Sequence, residues 1–111
     1  MLEAVRAIRS YTRPGRSAFM RSPIVRDAVI ARIIQLGEAV KGAQAGGLDL
    51  ERLAPGVPWG QIAGMRDILS HQYWRTDPEI IWAVVAKDLK PLEAAVKKLP
   101  TGAKRRASRA R

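Results

Sequence analysis

Apolar residues return along this chain at intervals of three and four, a period that predicts helices and leaves little of the alternation expected of strands. The most regular stretch follows Ser22-Pro23. Val25, Val29, Ile33, Leu36 and Val40 form one stripe, which Ile24, Ala28 and Ala31 widen. Ser22 supplies an N-cap oxygen, and Pro23 suits the first helical position, where no N–H is needed. Ala45-Gly46-Gly47 ends the helix. A first helix is predicted over Leu2 to Tyr11, ending before Arg13-Pro14-Gly15, with a short helical turn at Ser17 to Arg21. Leu48 to Pro58 reads as a connector with a turn at Asp49 to Leu53. A third helix is predicted from Trp59 to Ser70 on the spacing of Ile62, Met65 and Leu69. Asp77-Pro78 opens the last, with Ile81, Val85, Leu89, Leu92, Val96 and Leu99 as its stripe and Pro91 as a kink. The expected fold is all-α: an up-down bundle of four main helices plus short connecting turns, dimerising through helices.

A length of 111 residues suits one domain. A domain of this size buries a modest fraction of its surface, so a second copy covering an apolar face is expected. The boundary is drawn at Pro100, with 1–100 as the helical domain and 101–111 as a basic disordered tail. Lys and Arg number 20 against 10 Asp and Glu, a net charge of +10. Lys104, Arg105, Arg106, Arg109 and Arg111 lie in the tail, and removing these five leaves the body at +5. Such a surface draws polyanions, RNA foremost, although charge alone is equally consistent with a basic soluble protein. There is no cysteine, hence no disulfide and no thiolate metal site. Neither a signal-peptide core nor an apolar run of membrane-spanning length is present. A cytoplasmic location without membrane association is expected.

Chemistry concentrates near the single histidine. His71 follows Arg66 by five positions and precedes Tyr73 by two. At 100° per residue, Arg66 and Tyr73 share a helix face, whereas His71 is turned about 140° from Arg66. Either the helix ends near Ser70 and the chain turns, or the site is shared between two subunits. An imidazole moves protons near neutral pH, and a guanidinium fork pairs with phosphate oxygens. Asp67 is a candidate to orient His71 or the backbone, with a local salt bridge as the alternative. Glu38 is a candidate to orient Arg66 across a helix pair. Gly37 and Gly64 suit close helix packing, and the scattered Trp59, Trp74 and Trp82 suit core or interface anchoring.

Taken together, Arg66-Asp67-Ile68-Leu69-Ser70-His71-Gln72-Tyr73 resembles the R-x4-H-x-Y signature of the HepT-like ribonuclease toxins, within the wider HEPN class. Pro58-Trp59 and Ile62-Ala63-Gly64-Met65-Arg66 resemble that family's P-W-x-x-I-A-G-M-R run. Leu36-Gly37-Glu38-Ala39 is similar to its helix motif, and Asp77 to Leu92 to its closing helix. The resemblance spans Leu2 to Leu99; Asp67 stands where the family often has Asn, and the Arg-rich tail is no family feature. It implies the toxin of a type VII-like toxin–antitoxin system. The implied activity is a metal-independent endoribonuclease, without cofactor, that uses the RNA 2′-hydroxyl, leaves 2′,3′-cyclic phosphate ends and spares DNA. Arg66 and His71 would be catalytic, with pairs meeting at a homodimer interface and Asp67 and Glu38 in support. The implied partner is a nucleotidyltransferase antitoxin that adds AMP to Tyr73, placing charge and bulk beside Arg66. Two other classes stand beside this one: a non-catalytic helical adaptor for a nucleotidyltransferase, and a basic RNA-binding module working through its tail. An adaptor has no need of the Arg66, His71 and Tyr73 set, and truncation at Pro100 separates the tail module from a nuclease.

Overall fold

The computed structural model describes residues 1–99, so the basic tail expected over 101–111 lies outside the described residues. Within them all regular structure is helical: α1 (Leu2–Tyr11), α2 (Arg16–Arg21), α3 (Pro23–Ala45), α4 (Leu50–Leu53), α5 (Trp59–Gln72), a 3-10 turn (Tyr73–Arg75), α6 (Pro78–Lys87) and α7 (Leu89–Lys98). Local chemistry sets the starts. The Ser22 hydroxyl accepts from the Val25 N–H at 3.2 Å. Asp49 caps α4 by accepting from the Arg52 N–H at 3.2 Å, and Asp77 caps α6 by accepting from the Glu79 N–H at 2.9 Å. Each satisfies a donor that the helix itself cannot. At the end of α3 the chain escapes through Gly47, whose φ of +94° suits a residue without Cβ.

The long α3 is the spine, packed on α5 and α1, with α7 against α1 and α6 against α7 and α2. Cover from two sides explains its burial. Val29, Ile30, Ile33, Leu36, Gly37, Ala39, Val40 and Ala43 are buried, an arc of about 180° where a surface helix shows little more than 100°. The widening therefore runs through Ile30, Ala39 and Ala43. It does not run through Ile24 and Ala31, which are exposed, Ile24 to 81%. Trp59 is buried and its indole N–H donates to the Ala54 carbonyl at 3.0 Å. Trp82 tilts against Phe19 with ring centroids 5.3 Å apart, joining α6 to α2. Trp74 is 67% exposed.

Two boundaries differ from the sequence expectation. The closing helix is broken at Asp88, three residues before Pro91. In an unbroken helix Pro91 would lack an N–H for the Lys87 carbonyl and its ring would crowd that carbonyl. Starting α7 at Leu89 puts Pro91 in the first turn, where no intrahelical acceptor awaits its nitrogen. The other difference is α5, which continues to Gln72, past the end expected near Ser70. No helix among the described residues is long and apolar enough to cross a membrane.

Replacing Ser22 with Ala removes the α3 cap and should cost about 1 kcal/mol, read as a lowered midpoint in thermal unfolding. An unchanged midpoint would contradict the capping role.

Candidate active site

The site begins with a close approach of two helices. A Cβ built on Gly37 would lie 2.2 Å from the Arg66 Cβ, and 3.0 Å from both the Arg66 Cγ and the Ile62 carbonyl oxygen. No side chain fits there, so the absence of one at Gly37 lets Arg66 cross the seam between α3 and α5. Gly64 has a different setting, because a Cβ there would meet no atom within 4 Å. The expectation of close packing fits Gly37 and not Gly64.

Around that crossing lies a four-residue ionic network. Arg66 Nη1 donates to Asp67 Oδ1 at 3.0 Å, while Nη2 lies 3.5 Å from Glu38 Oε1 on α3. Lys41 Nζ donates to both Asp67 oxygens, at 2.7 and 2.9 Å. The hydrogen bond to Asp67, followed by the charges of Asp67 and Glu38, raises the Arg66 pKa, against burial. Hydrogen bonds from Lys41 and then Arg66 lower the Asp67 carboxyl below its ordinary value. The Arg66 Nε is buried without a hydrogen-bond partner among the described residues. Asp67 thus forms a local salt bridge, and it makes no hydrogen bond to His71 among the described residues. Lys41 is the member that sequence reasoning passed over. Its position, three residues after Glu38 and four after Gly37 on one helix face, was the available signal.

His71 lies inside α5 and is exposed. Because the helix is unbroken from Arg66 to His71, the two residues stay about 140° apart and roughly 7.5 Å apart along the axis. The chain does not turn between them. By the same phase, His71 shares the outward face of α5 with Gly60, Gly64 and Ile68, and Ile68 is 56% exposed. Tyr73 opens the 3-10 turn, and its side chain lies outside the described features. Arg66, Asp67 and Glu38 are therefore gathered in one place, and His71, one turn beyond Asp67 on α5, diverges from Arg66 by about 140°. Among the described residues no three His, Asp or Glu side chains cluster as a metal site.

These features define a class: an all-helical domain with an arginine locked at a helix seam and a histidine further along the same helix. The family described as ribonuclease HepT-like matches residues 1–99. A Thermococcus cleftensis protein named "Probable ribonuclease HepT" is 34% identical over 98 residues, 87% of this chain and 86% of that protein. A Caldanaerobacter subterraneus subsp. tengcongensis protein provisionally named as an RNase is 35% identical over 81 residues, 73% of this chain and 70% of its own. In Methanocaldococcus jannaschii, a gamma-glutamylcyclotransferase also provisionally named as an RNase is 34% identical over 100 residues, 89% of this chain. The chain spans 44% of that longer protein. No solved structure matches. The chain belongs to the HepT-like ribonuclease family.

Gly37→Ala should destabilise the fold by about 1–3 kcal/mol through overpacking at the seam, measured by urea unfolding; wild-type stability would deny the close approach. For Lys41→Met, loss of the first hydrogen-bonding cation should raise the Asp67 pKa, followed by carboxyl-carbon NMR titration. The sign for folding follows. Asp67 has a depressed folded pKa, so its contribution is present above the unfolded value of about 3.9 and is lost as pH falls through the folded one. Stability should fall less between neutral pH and the acid range in Lys41→Met than in wild type.

Proposed function

We propose that this protein is an endoribonuclease that cleaves RNA by attack of the 2′-hydroxyl on the adjacent phosphodiester, with Arg66 and His71 as the catalytic residues. Family membership supports RNA as the substrate. The observation that carries the residue assignment is the unbroken turn of α5 that holds Arg66 in the seam and leaves His71 on the open face. Within one protomer the two side chains diverge by about 140°, so the reading takes two copies to bring them to a single phosphate. The outward face of α5 supports that requirement. Gly60 and Gly64 leave it low, while Ile68 and Trp74 near His71 are large apolar side chains left exposed.

The chemistry divides simply. His71 moves the proton of the attacking hydroxyl or of the leaving oxygen, a role typically worth about 10²–10⁴-fold. Arg66 pairs with the non-bridging oxygens as charge grows on phosphorus. In the resting protein its guanidinium contacts Asp67 and Glu38, which leave further N–H donors for a substrate phosphate, while Lys41 neutralises Asp67. No metal or cofactor takes part in this proposal. The products are a 2′,3′-cyclic phosphate and a 5′-hydroxyl, and DNA, which lacks the nucleophile, is spared. We place the protein as the toxin of a type VII-like pair, acting in the cytoplasm and held silent by a nucleotidyltransferase antitoxin. AMP added to Tyr73 would bring a phosphate into competition with substrate beside Arg66.

His71→Ala should lower cleavage of a labelled RNA by at least about 100-fold while circular dichroism stays unchanged; cleavage at the wild-type rate would refute the assignment. Mass spectrometry after co-expression with the nucleotidyltransferase should find AMP on Tyr73. An unmodified tyrosine in an inactive complex would mean inhibition by capping.

A further inference from the structure

A second cationic feature lies away from α5. Between α1 and α7 is a cleft of about 570 Å³ lined by Arg6, Arg9, Ser10, Arg13, Glu93 and Lys97. Arg6 and Arg9 lie one turn apart on α1, and Arg13 follows just beyond the helix end at Tyr11, lining the same cleft. Glu93 is buried and forms an ion pair with Arg9, so the single carboxylate of the lining is already committed. The guanidinium groups of Arg6 and Arg13 make no hydrogen bond or ion pair with any described residue. Four cations thus face one anion in a concave surface, and none of Arg66, Lys41, Asp67 or Glu38 lines it.

We infer that this cleft binds the sugar–phosphate backbone of RNA, holding a part of the substrate remote from the bond that is cut. The lining decides the ligand class. It contains no apolar or aromatic side chain, so it lacks the anchors that fix a protein interface and the platform on which a nucleobase stacks. What it offers is a group of guanidinium donors, which match phosphate oxygens in forked geometry and carry no base preference. Glu93 serves as a fixed counter-charge that holds Arg9 upright while Arg6 and Arg13 remain available. The body of the molecule measures 39 × 26 × 22 Å, so an RNA of modest length can reach both the cleft and the α5 face. The inference rests on the proposed ribonuclease reading for its ligand, but its test does not need cleavage.

The probe is a fluorescent RNA with 2′-O-methyl groups, which has no attacking hydroxyl and remains intact. Binding is followed by anisotropy across a salt series for the full chain, for Arg6→Gln/Arg13→Gln, and for the charge-matched control Arg52→Gln/Lys87→Gln. The cleft variant should bind roughly ten-fold more weakly, and its slope of log K against log salt should shrink by about 0.7–0.9 for each lost contact. The control should bind like wild type. Equal losses in both variants would mean unlocalised charge attraction, and no loss in the cleft variant would mean that RNA does not use it; either overturns the inference. If cleft-dependent binding is found but unmodified RNA is never cut, the nuclease reading fails and the cleft stands.

Discussion

Two helices reach backbone-to-side-chain contact only where one of them presents no side chain, and in this protein that position is Gly37. The space a Cβ would need there is filled by the first two carbons of the Arg66 side chain. The separation of α3 from α5, the path of Arg66 and the reach of its guanidinium to Glu38 all follow from this one vacancy. A charged side chain threaded through a seam loses hydration, and the seam compensates with carboxylates on either side, Asp67 from its own helix and Glu38 from the facing one. Lys41 in turn neutralises Asp67. The packing contact and the ionic network are one construction.

The same construction holds Arg66 in place while leaving part of its guanidinium uncommitted. Neither of its two carboxylates is deeply buried, so substitution by another oxyanion requires no large desolvation. Its backbone and aliphatic stem are fixed by helix packing, which gives the geometry without tying up the charge permanently. Under the proposed reading, a phosphate joins the carboxylates at this guanidinium or takes the place of one, and the arginine need not move far.

Charge is distributed unevenly over the rest of the molecule. At the α3–α5 seam two cations meet two anions, and the balance is close to neutral. At the α1–α7 cleft the cations outnumber the anion. A nuclease with this layout would separate its tasks: long-range attraction and hold at the cleft, chemistry at the neutral seam, where specific geometry matters more than net field.

Much of the architecture was legible in the residues themselves. Ser22-Pro23 and Asp77-Pro78 marked helix starts because capping and proline chemistry act within a few residues, and the three-four period of Val29, Ile33, Leu36 and Val40 marked a buried face. The Arg66 to Tyr73 spacing pointed to a candidate site through family resemblance, and helical phase alone required Arg66 and His71 to diverge unless the helix broke. Whether it broke was not local. The continuation of α5 to Gln72, the exposure of Ile24 and the burial of Ala39 and Ala43 depend on what packs beside each helix. So does the choice of Lys41 as partner for Asp67, and so does the α1–α7 cleft, where Glu93 and Lys97 come to line the same surface as Arg6, Arg9 and Arg13. Short-range rules of hydrogen bonding and backbone geometry determine which segments become helices. Contacts between residues 26 or 84 positions apart exist only once the helices have been stacked, and those contacts decide where the charges meet.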